Sequence, residues 1–145
     1  MQLSAAGLEL LKTSEGFRRQ LYMDAAGIPT IGYGHRVRAG ESFGAGIDEQ
    51  QAATLLVQDV AEAQRQVSRL VKVALTQGQF DALVDFCFNL GAGRLAGSTL
   101  LKELNAGRYE DAGRQLLAWD HAGGQMNAGL EARRQAELRL WNAQT

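Results

Sequence analysis

The chain has 145 residues, one cysteine and a formal charge of −1. That length suits one domain with its own core, and the balance of 15 Lys/Arg against 16 Asp/Glu excludes the broad basic surface of a nucleic-acid binder. One cysteine excludes an internal disulfide, and no apolar run approaches the roughly 18 residues that a membrane span needs, so no stable membrane insertion is expected.

Residues 4–14 predict a helix. Ser4 can cap it, Leu3, Gly7, Leu10 and Leu11 share a face, and Glu15-Gly16 stand at its end. From 17 to 47 the texture changes: glycine recurs at 27, 32, 34, 40, 44 and 46, and Pro29 is the sole proline. Leu21-Tyr22-Met23 and Thr30-Ile31-Gly32-Tyr33 predict short strands joined through Ala25-Ala26-Gly27, hence a small irregular antiparallel sheet. Asp48 with Gln51 reads as a capping box that opens a long helix to about Val71. Ala52, Leu55, Leu56, Ala63, Val67 and Leu70 form its apolar stripe. Thr76 and Gln79 repeat the signature before a helix that ends at Gly91-Ala92-Gly93, with Cys87 among its apolar core positions. Ser98 caps a shorter helix through Leu104, and residues 110–119 and 130–141 predict two more. The expected class is α+β, mainly helical. One domain covers 1–145, with a small sheet lobe at 14–47, a connecting helix at 48–72, and a helical lobe made of 76–145 with 1–13.

The stretch SEGFRRQLYMDAAGIPTIGYGH, Ser14 to His35, sets Glu15 nine positions before Asp24. Hydrolysing a glycosidic bond needs two such carboxyls, one protonated for the leaving oxygen and one ionised to activate water or attack the sugar. Different surroundings must then separate their pKa values. Glu15 at a helix C-terminus, with Phe17 nearby, has the environment of a general acid. Asp24 beside a glycine-bearing turn is wetter, and Thr30 offers a hydroxyl to orient water. Two acids at this spacing are common, and spacing alone favours a solvated surface pair.

Glu15-Gly16-Phe17-Arg18, Tyr22-Met23-Asp24 and Thr30-Ile31-Gly32-Tyr33-Gly34-His35 together resemble the bacteriophage-type lysozymes, the endolysins of glycoside hydrolase family 24. Leu75-Thr76-Gln77-Gly78-Gln79-Phe80-Asp81-Ala82-Leu83 and Phe88-Asn89-Leu90-Gly91 resemble the family's central helix. Ser98-Thr99-Leu100-Leu101 and Leu104-Asn105-Ala106-Gly107 look like the segment after it, and Trp119 to Gly124, Gly129-Leu130 and Arg133-Arg134-Gln135-Ala136-Glu137 like its C-terminal part. The resemblance spans nearly the whole chain.

It implies a lysozyme-like fold of two lobes joined by a long helix, with the glycan between them. Glu15 is then the general acid, Asp24 the second carboxylate, and Thr30 the third member of the triad. The substrate implied is peptidoglycan, cut between N-acetylmuramic acid and N-acetylglucosamine without metal or organic cofactor. Inversion by a water held on Asp24 and Thr30 calls for about 6.5–9.5 Å between the carboxyls, retention for about 5–5.5 Å. No signal peptide is visible. The expected course is therefore cytoplasmic storage of a monomer, release through a pore made by another phage protein, and action on the periplasmic wall. A lytic transglycosylase and a non-catalytic peptidoglycan-binding domain are the competing readings, and retention of Glu15, Asp24 and Thr30 argues against both.

Tyr33, Gly34, His35 and Asn89 are further candidates for contact with substrate. Tyr33 is equally a packing residue, His35 a shaper of its turn, and Asn89 a helix-end cap. Gly32-Tyr33-Gly34 lacks the third glycine and following helix of a phosphate loop. His121 has no Cys or His partner at metal spacing, so no metal site is expected. Trp119 and Trp141 read as packing residues. Arg133, Arg134 and Glu137 read as a surface salt-bridge set at helical spacing. The near-neutral charge departs from the basic character expected of the family and predicts weak long-range steering to an anionic wall. Arg18, Arg19, Arg36 and Arg38 form a candidate local patch near the cleft lip, or plain solvated surface.

Overall fold

The structure, a computed structural model, describes residues 1–143. Helix α1 spans Ala5–Glu15 and starts where expected, with the Ser4 hydroxyl accepting from the Gly7 amide at 3.2 Å. Such a cap contributes about 1 kcal/mol. Ser4 also ties α1 to the helical core, because its amide donates to Asp81 Oδ1 at 3.0 Å and its hydroxyl donates to Oδ2.

Strands β1 (Arg18–Met23), β2 (Pro29–Gly32) and β3 (His35–Arg36) form an antiparallel sheet in that order. Tyr22 lies opposite Thr30 and Ile31 opposite His35, with an irregularity between Arg18 and Tyr22. β1 begins earlier than the apolar residues suggest and is almost wholly exposed, which explains why an apolar pattern marks only its last half.

Helix α2 (Glu49–Leu70) opens with the predicted capping box and joins two hydrophobic cores. Its Ala52 packs with Ile31 and Ile47 under the sheet, while Leu56, Val60, Ala63 and Val67 face the larger helical core. At the centre of that core lies α3 (Gln77–Leu90), which also opens with a capping box. Phe80, Ala82, Leu83, Val84 and Phe86 are buried to within 2 %, each large apolar side chain contributing about 1.5–3 kcal/mol. α3 packs against the last helix with so little space that a Cβ on Gly78 would run into the Leu140 carbonyl.

α3 ends at Leu90 with Gly91 as its cap, and a short helix the sequence reading did not contain, α4 (Ala92–Ala96), follows at once. α5 is Thr99–Asn105, capped by Ser98. The helix expected over 110–119 is α6 (Tyr109–Gln115) followed by a 3₁₀ turn at Leu116–Ala118. A two-stranded hairpin, β4 (His121–Ala122) and β5 (Gln125–Met126), precedes α7 (Ala128–Asn142), which Asn127 caps. Trp141 is buried in the core and Trp119 meets Phe86 edge-on with 5.5 Å between rings, so both tryptophans pack.

Arg133, Arg134 and Glu137 overturn the surface reading: they are 7 %, 0 % and 0 % exposed. The buried face of α7 is made of these charged residues with Trp141. It is tolerated because α3 sets the buried carboxylate of Asp85 against it.

Candidate active site

Glu15 is the last residue of α1, and Gly16, at φ +70°, turns the chain out into β1. The Glu15 side chain is 17 % exposed. Its Oε2 accepts from Arg133 Nη1 at 2.8 Å. Its Oε1 lies against Gly34, so close that a Cβ there would sit 2.8 Å from the Glu15 Cδ. The carboxyl is thus held on one oxygen by a cation and directed with the other toward the β2–β3 turn.

Asp24 follows β1 and is fixed by different means. Its Oδ1 accepts from the amides of Ala26 and Ile28 at 2.8 and 2.9 Å, closing the β1–β2 turn around the carboxylate. Oδ2 has no protein hydrogen bond among the described residues. Thr30 is 2 % exposed on β2, and its hydroxyl donates to the Ile28 carbonyl at 2.8 Å. With that proton committed, the Thr30 oxygen faces any further partner as an acceptor.

Tyr22 stands in β1, between the two carboxyls in sequence, and feels both charges. Burial and the Glu15 carboxylate push its phenol up, Asp24 adds to the rise, and Arg18 opposes it. The Arg18 guanidinium lies over the Tyr22 ring, 4.3 Å from its centroid. Nothing in residue type singles out Tyr22. Its register opposite Thr30 is the signal that could have found it.

Gly34 also borders a cavity of ≈ 380 Å³ that runs between the turn after β3 and the helical core. Arg36 and Arg38 stand on one side of it, Glu62, Cys87 and Phe88 on the other. Two of the four arginines proposed as a local patch therefore line a cavity, and a third covers Tyr22. Burial pushes the Cys87 thiol up to about 11, so it stays protonated at neutral pH.

The remaining candidates divide. His35 is 3 % exposed, with Nδ1 2.7 Å from Asp59 Oδ2 and Nε2 3.0 Å from Glu41 Oε1, which leaves neither nitrogen for a sugar. Burial pulls the imidazole down, but hydrogen bonds to Asp59 and Glu41 outweigh it and its pKa is raised. Tyr33 packs against both cores, tilted on Phe17 with 5.7 Å between rings. Asn89 neither caps its helix nor lines the cavity: its side-chain oxygen accepts from Arg134 Nη2 at 2.9 Å.

Sequence reasoning missed the cations behind the site. Arg133 donates from Nε and Nη2 to the two oxygens of Asp85, both at 2.9 Å, besides its bond to Glu15. Arg134 Nη2 donates to Glu137 Oε2 at 2.8 Å, and its guanidinium carbon lies 5.3 Å from the centre of the Phe86 ring. Arg134 Nε is only 2.7 Å from Glu137 Oε1, yet off the direction that a hydrogen bond requires.

A family model described as phage lysozyme matches residues 12–137. The chain belongs to the phage lysozyme family. It is 40 % identical over 137 residues to an endolysin of Salmonella phage P22, covering 92 % of this chain and 94 % of that one. It is 41 % identical over 149 aligned positions to an endolysin of Bacillus phage B103, covering 97 % of this chain but 54 % of the relative. The chain therefore spans about half the length of that larger endolysin. Among solved structures, the muramidase domain of SpmX from Asticaccaulis excentricus superposes with a TM-score of 0.88 at 37 % identity, covering 98 % of each chain. The fold is that of a lysozyme, and the mainly helical α+β class expected from the sequence is the one observed.

Proposed function

We propose that this phage lysozyme is a muramidase that hydrolyses the β-1,4 bond between N-acetylmuramic acid and N-acetylglucosamine in peptidoglycan. The observation that carries the reading is two carboxyls flanking β1, one anchored by Arg133 and the other by the amides of its own turn, in a chain of this family. Glu15 delivers its proton from Oε1 to the leaving oxygen as the glycosidic C–O bond breaks. A water donates one hydrogen to Asp24 Oδ2 and the other to Thr30 Oγ1, which leaves its lone pair for the anomeric carbon. Asp24 takes the proton as the new C–O bond forms. Arg36 and Arg38 offer cations beside the cavity for the carboxylates of the substrate's peptide stem. The same reading has the protein act as a monomer that lyses the host at the end of a phage cycle. Its release from the cytoplasm to the periplasmic wall through a pore made by a separate phage protein rests on the family resemblance.

The test uses Gram-negative cells stripped of outer membrane, followed by analysis of the sugar ends released. Rapid clearing with ordinary reducing ends is expected, and Glu15→Gln should slow it by about 10²–10⁴-fold. Anhydro ends would make the enzyme a transglycosylase, and normal clearing by Glu15→Gln would remove Glu15 from the acid role.

A further inference from the structure

Arg133 joins the candidate acid to a buried acidic pair that the reaction scheme does not use. Of its three guanidinium nitrogens, Nε and Nη2 are taken by Asp85 and Nη1 by Glu15. The fork on Asp85 fixes both the position and the plane of the guanidinium. Asp85 is 0 % exposed on α3, Arg133 lies on α7 and Glu15 ends α1, so three elements remote in sequence meet at one cation.

We propose that Asp85 is a positioning residue for Glu15, acting through Arg133. Its grip on two nitrogens aims the third at Glu15 Oε2, which leaves Oε1 toward Gly34. It also balances the guanidinium charge, so that Glu15 is anchored by a cation that already has a partner. The inference rests on the muramidase reading, because only a working acid needs to be aimed.

The rest of the buried cluster supports this division of labour. Arg133 and Arg134 face three carboxyls, those of Asp85, Glu137 and Glu15. Glu137 is fully buried beside Asp85, and burial together with that neighbour pushes its pKa well above the usual carboxylate range. Burial alone would raise Asp85 too, but the neighbouring Glu137, the Arg133 hydrogen bonds and both guanidinium charges hold it low. One proton therefore sits on Glu137 and leaves Asp85 ionised toward Arg133. Of the three carboxyls, Glu15 alone is partly exposed.

The experiment measures kcat and KM separately on soluble peptidoglycan fragments, well below each variant's unfolding midpoint, for Asp85→Asn, Arg133→Lys and Glu15→Gln. Asp85→Asn removes the second acceptor and the charge while conserving shape. It should lower kcat about 10- to 100-fold, as a misplaced group does, with KM within about twofold. Arg133→Lys keeps a charge but cannot span both carboxylates, and should show the same split. A merely structural Asp85 would lower the midpoint and leave kcat of the folded fraction unchanged, and that result overturns the inference. Should Asp85→Asn not fold, a folded Arg133→Lys with unaltered kcat overturns it equally. Glu15→Gln separates this inference from its parent. If that variant stays active, the acid assignment fails. If it is inactive while Asp85→Asn and Arg133→Lys turn over at full rate, only the positioning role fails.

Discussion

Gly34 is the point where the sheet touches the candidate acid, and Gly34→Ala tests whether that contact matters. Gly34 sits at φ +73°, and an added Cβ would lie 2.8 Å from the Glu15 Cδ and 3.3 Å from its Cγ. Carbon atoms prefer about 3.5–4.0 Å, so the Glu15 carboxyl must give by about 1 Å. It cannot simply swing aside, because Oε2 is tied to Arg133 at 2.8 Å. Two costs follow. The left-handed backbone costs about 1–2 kcal/mol for a residue with a Cβ, which lowers the unfolding midpoint by about 2–8 °C in a domain of this size. A catalytic group displaced by about 1 Å loses about 10²-fold in rate, equivalent to about 2.7 kcal/mol of barrier. Gly107→Ala is the matched control: φ is +83° and nothing lies within 4 Å of the added carbon. It should show a similar midpoint shift and a normal rate. Thermal unfolding and kcat/KM on stripped cells measure both quantities. If Gly34→Ala turns over as fast as Gly107→Ala, the Glu15 carboxyl does not need its position, and the reasoning is refuted.

Two further predictions concern buried charge. His35 has a folded pKa above its usual 6.5, so the stability it contributes is fully present below pH 6.5 and is lost as pH rises through the folded value. His35→Asn should cost about 2–3 kcal/mol at pH 6, and progressively less toward pH 9 in urea titrations; a cost that does not vary with pH contradicts a charged imidazole between Asp59 and Glu41. Glu137 is the opposite case. Between its usual value near 4.5 and its raised folded value the native state binds the extra proton, so stability falls as pH rises through that window. Glu137→Gln, which keeps a donor toward Asp85, should remove that fall and leave the midpoint at pH 5 within a few degrees. A loss of about 3–5 kcal/mol at every pH would instead mean that an ionised Glu137 is the needed partner of Arg134.

The legible parts of the chain are those whose signals are local. The caps at Ser4, Asp48, Thr76 and Ser98 each set a helix start from residues a turn away, and all four form the predicted bonds. The β1–β2 turn was readable from Asp24, Gly27 and Pro29 for the same reason. What was not legible depends on partners far along the chain. Arg133 meets Asp85 across 48 positions and Glu15 across 118. A charged triplet on a helix looks solvent-facing until the opposing helix is known to carry an acid. His35 was readable as a shaper of its turn, but its tie to Asp59 on α2 was not. The hairpin over His121–Met126 has exposed residues on both strands, so no alternation marks it.

The two carboxyls belong to different frames. Glu15 is fixed to the helical core: α1 is pinned to α3 through Ser4 and Asp81, and its last side chain to α7 through Arg133. Asp24 and Thr30 are fixed to the sheet, whose own core is Ile31, Ile47 and Ala52. Nine residues of separation therefore do little to set the gap between the two carboxyls, since β1 could carry Asp24 anywhere within reach. The gap is set where the frames touch: at Phe17 against Tyr33 and at Gly34 against Oε1 of Glu15. This assigns a common purpose to Tyr33 and Gly34. The aromatic ring, packed against both cores, keeps the frames in register, and the missing side chain beside it lets the sheet close on the acid without displacing it.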